Sequence, residues 1–68
     1  MKYIGFVSIN NDVIEELCLD DVLTINKMSL ISIGSYIRFK DTKYCVESIL
    51  IDLDNNEVCL KLRKIKEK

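Results

Sequence analysis

At 68 residues, with 49% hydrophobic and 31% charged residues and a net charge of −1, the chain is expected to form a single domain with a small core and no surface-wide footprint for a polyanion. A chain of this length buries only about 60% of the surface it exposes when unfolded, and the per-residue rule gives a stability of roughly 3 to 10 kcal/mol. No His is present, which excludes Ser-His and Cys-His nucleophile pairs and removes the commonest general base.

Ala, Gln, Pro and Trp are absent too, while Ile occurs ten times and Lys eight. Without Ala and with so many β-branched residues, strands are favoured over long helices. The bias toward Ile, Lys, Asn and Asp is what an AT-rich genome imposes, pointing to a low-GC bacterium or its phages and plasmids. Domains this small usually need a staple. Cys18, Cys45 and Cys59 are odd in number and widely spaced, unlike a secreted disulfide framework. They lack the C-x-x-C spacing and fourth ligand of a metal site. Neither a metal nor a cofactor is expected, and a partner subunit is the expected supplement. Light scattering that gave 7.9 kDa at every micromolar concentration would reject that expectation. The opening MKYIGFVSINND has no signal-peptide layout and no apolar run reaches membrane length, so a cytoplasmic protein is expected.

Charge is unevenly placed. Residues 1–30 set Lys2 and Lys27 against Asp12, Glu15, Glu16, Asp20 and Asp21, whereas Lys61, Arg63, Lys64, Lys66 and Lys68 crowd the end.

In chain order, Lys2 to Ile9 is an apolar run of strand formers, and Asn10-Asn11-Asp12 turns it back. Residues 13–25 admit two readings. Val13, Ile14, Leu17 and Cys18 share a helical face behind a capping box of Asp12 and Glu15, giving a short helix over 13–19. Alternatively, Val13, Glu15, Leu17 and Leu19 alternate as a strand, with Asp20-Asp21 turning into Val22 to Ile25. Gly34 then breaks the backbone before a three-stranded meander. A loop at Asp41-Thr42 sets Phe39 opposite Tyr44 and Ile37 opposite Val46. A loop at Asn55-Asn56 sets Leu53 against Val58, Ile51 against Leu60 and Ile49 against Leu62. The two registers agree only if the middle strand carries one extra residue near Glu47-Ser48, a bulge. The core side then holds Ile37, Phe39, Tyr44, Val46, Ile49, Ile51, Leu53, Val58, Leu60 and Leu62.

Bent, bulged middle strands are how short antiparallel sheets curl over a core. The stretch GSYIRFKDTKYCVESI resembles strands of small SH3-like or OB-like barrels in general. The expected fold is therefore mainly β: a partly open barrel of about five strands, bent near Glu47-Ser48, with or without a short helix at 13–19.

The opposite face carries Tyr36, Arg38, Lys40, Lys43, Cys45, Glu47, Leu50, Asp52, Cys59, Lys61 and Arg63. An aromatic ring among cations on a curved sheet suits single-stranded nucleic acid, through stacking and phosphate contacts. Soluble sheets nevertheless display Lys and Arg on their wet face without any ligand, and Glu47, Asp52 and Glu57 interrupt this one. The paired carboxylates Glu15-Glu16 and Asp20-Asp21 read as solvated groups or as a docking site for a basic partner, a second copy included. Two glycines, Gly5 and Gly34, cannot form a phosphate-cradling loop. The leading expectation is a small non-enzymatic protein-interaction module, an adaptor, assembly or inhibitor subunit. The alternatives are a nucleic-acid-binding barrel using Tyr36, Arg38, Lys40, Lys43, Lys61 and Arg63, and a structural subunit of a symmetric assembly.

Overall fold

The alternation read from the sequence becomes five strands in the computed structural model, which describes residues 1–65. They are β1 (Lys2–Ile9), β2 (Asp12–Cys18), β3 (Tyr36–Phe39), β4 (Thr42–Asp52) and β5 (Glu57–Ile65), with one short helix, α1 (Ile25–Met28), between β2 and β3. The protein is thus mainly β. The strands form one mixed sheet in the order β2-β1-β5-β4-β3. Neighbours run antiparallel except β1 and β5, which are parallel. The sheet does not close, leaving β2 and β3 as its edges.

Alternation decides what is buried. On β1 the inward Tyr3, Gly5 and Val7 lie in register with Val58, Leu60 and Leu62 of β5, and Leu62 meets Val46 of β4. Val7, Val46, Leu60 and Leu62 are fully buried, as is Leu19 just beyond β2. The connection from Leu19 to Ser35 folds over this face, where Leu23, Met28 and Ile31 pack on the core. Two backbone-level contacts anchor it: the Leu19 N–H donates to the Tyr3 carbonyl at 2.8 Å, and the Tyr3 N–H donates to Oδ1 of Asp20 at 2.6 Å. Gly5 is required by packing. A Cβ there would sit 2.8 Å from Cδ1 of Leu62 and 3.2 Å from Cδ1 of Leu19.

The bulge lies where the alternation places it. Val46 pairs with Leu62 and Ser48 with Lys61, so Glu47 has no partner of its own. The helical reading of residues 13–19 is overturned: they are strand β2 and its continuation, because β1 offers a row of backbone donors and acceptors that a strand satisfies and a two-turn helix does not. Among the described residues the helix is α1 instead, where Thr24 accepts the Lys27 N–H at 3.2 Å as its N-cap.

Both hairpin registers differ from expectation by two residues, which preserves every side chain's face. Lys40 and Asp41, both at positive φ, form the first loop, so Phe39 pairs with Thr42 and Ile37 with Tyr44. In the second, the Asp52 carboxylate accepts the Asn55 N–H at 3.2 Å and its Nδ2 at 2.8 Å. That cap closes the turn at the Asp52–Glu57 pair, leaving 53–56 as the loop. Ile51 and Leu53, expected inside, are therefore carried past the core and stand 58% and 78% exposed. Cys45, expected outside, is only 8% exposed. It lies between Tyr36 and Arg63 on the neighbouring strands, whose long side chains flank it.

Candidate functional site

The outer face of the sheet is a set of rows. The first runs Cys18, Ile4, Cys59, Leu50; the second runs Glu16, Phe6, Lys61, Ser48; the third runs Val13, Ser8, Arg63, Cys45, Tyr36. Beyond it Arg38 pairs with Lys43, and Lys43 with Ile65. Cys18 and Cys59 are two strand spacings apart, about 10 Å, beyond the reach of a disulfide without backbone movement.

Of the basic set read from the sequence, the structure brings Tyr36, Arg38, Lys43 and Arg63 together around the β3–β4 hairpin. Tyr36 is 61% exposed, and the Lys43 ammonium stands 4.8 Å from its ring centroid. Arg63 shares the Tyr36 row and places Nε 3.8 Å from Oε2 of Glu47. Both partners of that pair are well exposed, so it contributes at most about 1 kcal/mol. Lys40 departs from the group: it sits in the turn, with its ammonium 5.3 Å from the Phe39 ring, and Phe39 belongs to the inner face. Lys61 lies across the bulge and donates to Oδ1 of Asn11 at 3.2 Å. Lys66 and Lys68 of the basic end lie outside the described residues.

A second feature was not anticipated. A groove of ≈ 860 Å³ opens beside the β1–β2 turn, lined by Ile9, Asn10 and Asn11 on one side, Arg63, Lys64 and Ile65 on another, and Ser8, Ile14 and Glu47 between them. Its walls come from two irregularities at one level of the sheet. The β1–β2 register shifts between Val7 and Ser8, so Ile14 is an extra residue in β2, and Glu47 is the extra residue in β4. Bulges re-aim side chains. Ile9, Val13 and Ile14 are left 53%, 61% and 54% exposed around this turn. The signal was present in the sequence: Val13-Ile14 breaks the strand alternation as Glu47-Ser48 does.

Among the described residues two ionisable groups are shifted, each for a local reason. Asn55, donating from side chain and backbone, holds the Asp52 carboxyl below its usual range. Burial, and then the charges of Glu57, Asp52 and Glu16, push the Cys59 thiol up. Its Sγ donates to Oε2 of Glu57 at 3.9 Å, so Cys59 is held as the thiol, the unreactive form.

The chain matches no known family, no curated protein and no solved structure.

Proposed function

We propose that the protein is a small non-enzymatic interaction module that docks an apolar segment of a partner protein at the β1–β2 end of its outer face. The observation that supports this is the position of Ile9 and Ile14, both exposed in the wall of the ≈ 860 Å³ groove, with the exposed Val13 next to Ile14 in the chain. Apolar groups gathered beside a concavity and rimmed by polar ones are the usual make-up of a protein contact. Here the rim is Asn10, Asn11, Glu47, Arg63 and Lys64. The bent, bulged β4 and the open five-stranded order support a reading as an SH3-like or OB-like partly open barrel. Cytoplasmic residence and a phage or plasmid origin belong to the same reading, on the cysteine usage and codon bias of the chain. Immobilised protein tests it: a partner retained by the wild type is expected to be lost with Ile14→Asp and kept with Leu53→Ser, an exposed position on the distant β4–β5 loop.

A second reading rests on Tyr36, Arg38, Lys43 and Arg63 sharing one end of the outer face, which suits a single nucleic-acid strand. Lys43 already covers one side of the Tyr36 ring, leaving one face for a base. Labelled oligonucleotides at low and moderate salt decide it. Binding that weakens with salt and is lost in Arg63→Glu supports this reading, and no binding at low salt rejects it.

A further inference from the structure

We propose that the protein also assembles with itself head to tail, β2 of one copy adding antiparallel to β3 of the next so that the sheet continues across the interface. This surface is separate from the groove. Among the described elements β2 neighbours only β1, and β3 only β4, so both edges present a row of backbone groups of the kind that templates strand addition. Proteins usually guard such edges with charge, and here the guards have opposite sign. β2 carries Asp12, Glu15 and Glu16 with no basic residue, whereas the β3 hairpin carries Arg38, Lys40 and Lys43 against Asp41. Two β2 edges would oppose acid to acid, and two β3 edges base to base. The charges therefore block both two-fold pairings and favour only the mixed one.

Direction, length and register agree with this. β1 and β5 are parallel and every other neighbour is antiparallel, so β2 and β3 run oppositely and a copy stacked in the same orientation meets its neighbour antiparallel. The regular part of β2 beyond the Ile14 bulge is Glu15 to Cys18, which matches the four residues of β3. Leu19 donates to Tyr3 on β1, and Ser35 accepts from Val46 on β4. By strict alternation, Glu16 and Cys18 on one edge and Tyr36 and Arg38 on the other direct their backbone groups away from their own sheet. Pairing Glu16 with Arg38 and Cys18 with Tyr36 satisfies that alternation. It also sets Glu16 and Arg38, both on the outer face, side by side, and places Leu17 opposite Ile37 on the inner face.

A contact of this kind is heterologous, so it propagates into a ring or a fibre and does not stop at a dimer. Sedimentation across the micromolar range is expected to show mass rising past the dimer at about 0.05 M salt and falling by about 1 M, where the Debye length drops to roughly 3 Å. Glu16→Lys is expected to remain monomeric while still capturing any groove partner, which separates this inference from the preceding one. The register is read by Tyr36→Cys with Cys45→Ala and Cys59→Ser, leaving Cys18 native, after mild oxidation. A ladder of disulfide-linked species is expected, and adding Cys18→Ser should erase it. A wild type that stays at 7.9 kDa throughout, an assembly that stops at a dimer, or a ladder indifferent to Cys18 would each overturn the proposal.

Discussion

Gly5 shows how closely this small core is packed. The space a methyl group would occupy is taken by Leu62 and Leu19, both essentially inaccessible to solvent, so Gly5→Ala must displace side chains that have little room to move. Overpacking of this sort costs about 1 to 2 kcal/mol, and urea unfolding should show it as a lower midpoint at unchanged slope. Asp52 carries a different prediction. Its folded carboxyl is held low by Asn55, so its contribution is fully present above the unfolded value of about 3.9 and is lost as pH falls through the lower folded value. Stability of the wild type and of Asp52→Asn should therefore converge on acidification below about pH 4. A gap unchanged down to pH 2 would contradict the Asn55 cap. Asp20 and Asp52 also show what residue types alone do not reveal. Asp20 reads from the sequence as a solvated or docking acid and Asp52 as an acid interrupting the basic face, yet each caps a backbone donor, because a carboxylate's partner is set by chain reversal elsewhere.

At the level of elements, the bulge at Glu47 was legible because apolar alternation has only two phases, and a change of phase demands an extra residue. The loops were less legible. Lys40 adopts positive φ, a conformation costly for a residue of its type, so nothing in its chemistry marks it as a turn residue. The second hairpin closes on a side-chain cap that spacing does not encode. Both slips were by two, and so the faces survived while the ends of the core list did not. Deleting Glu47 tests the bulge: Val46, Ser48 and Ile49 pair with the consecutive Leu62, Lys61 and Leu60, so losing the one unpartnered residue leaves a continuous ladder with every side chain on its own face. Deleting Leu60 from the unbulged β5 instead turns one half of that strand over, and each lost burial costs about 1.5 to 3 kcal/mol against a total of roughly 3 to 10. The Glu47 deletion should stay folded by circular dichroism and the Leu60 deletion should not, while Glu47→Ala should change stability by less than about 0.5 kcal/mol. An unfolded Glu47 deletion would contradict its place as the extra residue.

At the level of the whole molecule, one inner face is closed by the 19–35 connection and the other stays open. The open face holds the basic hairpin on its β3 side and the groove beside the β1–β2 turn, with Arg63 and Glu47 lying between the two, and edges of opposite charge bound the sheet. The shared outer face of Tyr36, Arg38, Lys43, Lys61 and Arg63 was legible from alternation alone, whereas Lys40 sits in the turn. The groove was hidden because its walls come from β1, β2, β4 and β5 at once, and only the parallel pairing of β1 with β5 brings them together. The most direct test of the interaction role is capture from a lysate of the source organism on wild type, Ile14→Asp and Leu53→Ser in parallel. A protein held by the first and third and absent from the second is the expected result. Identical retention by all three would contradict the role assigned to the groove.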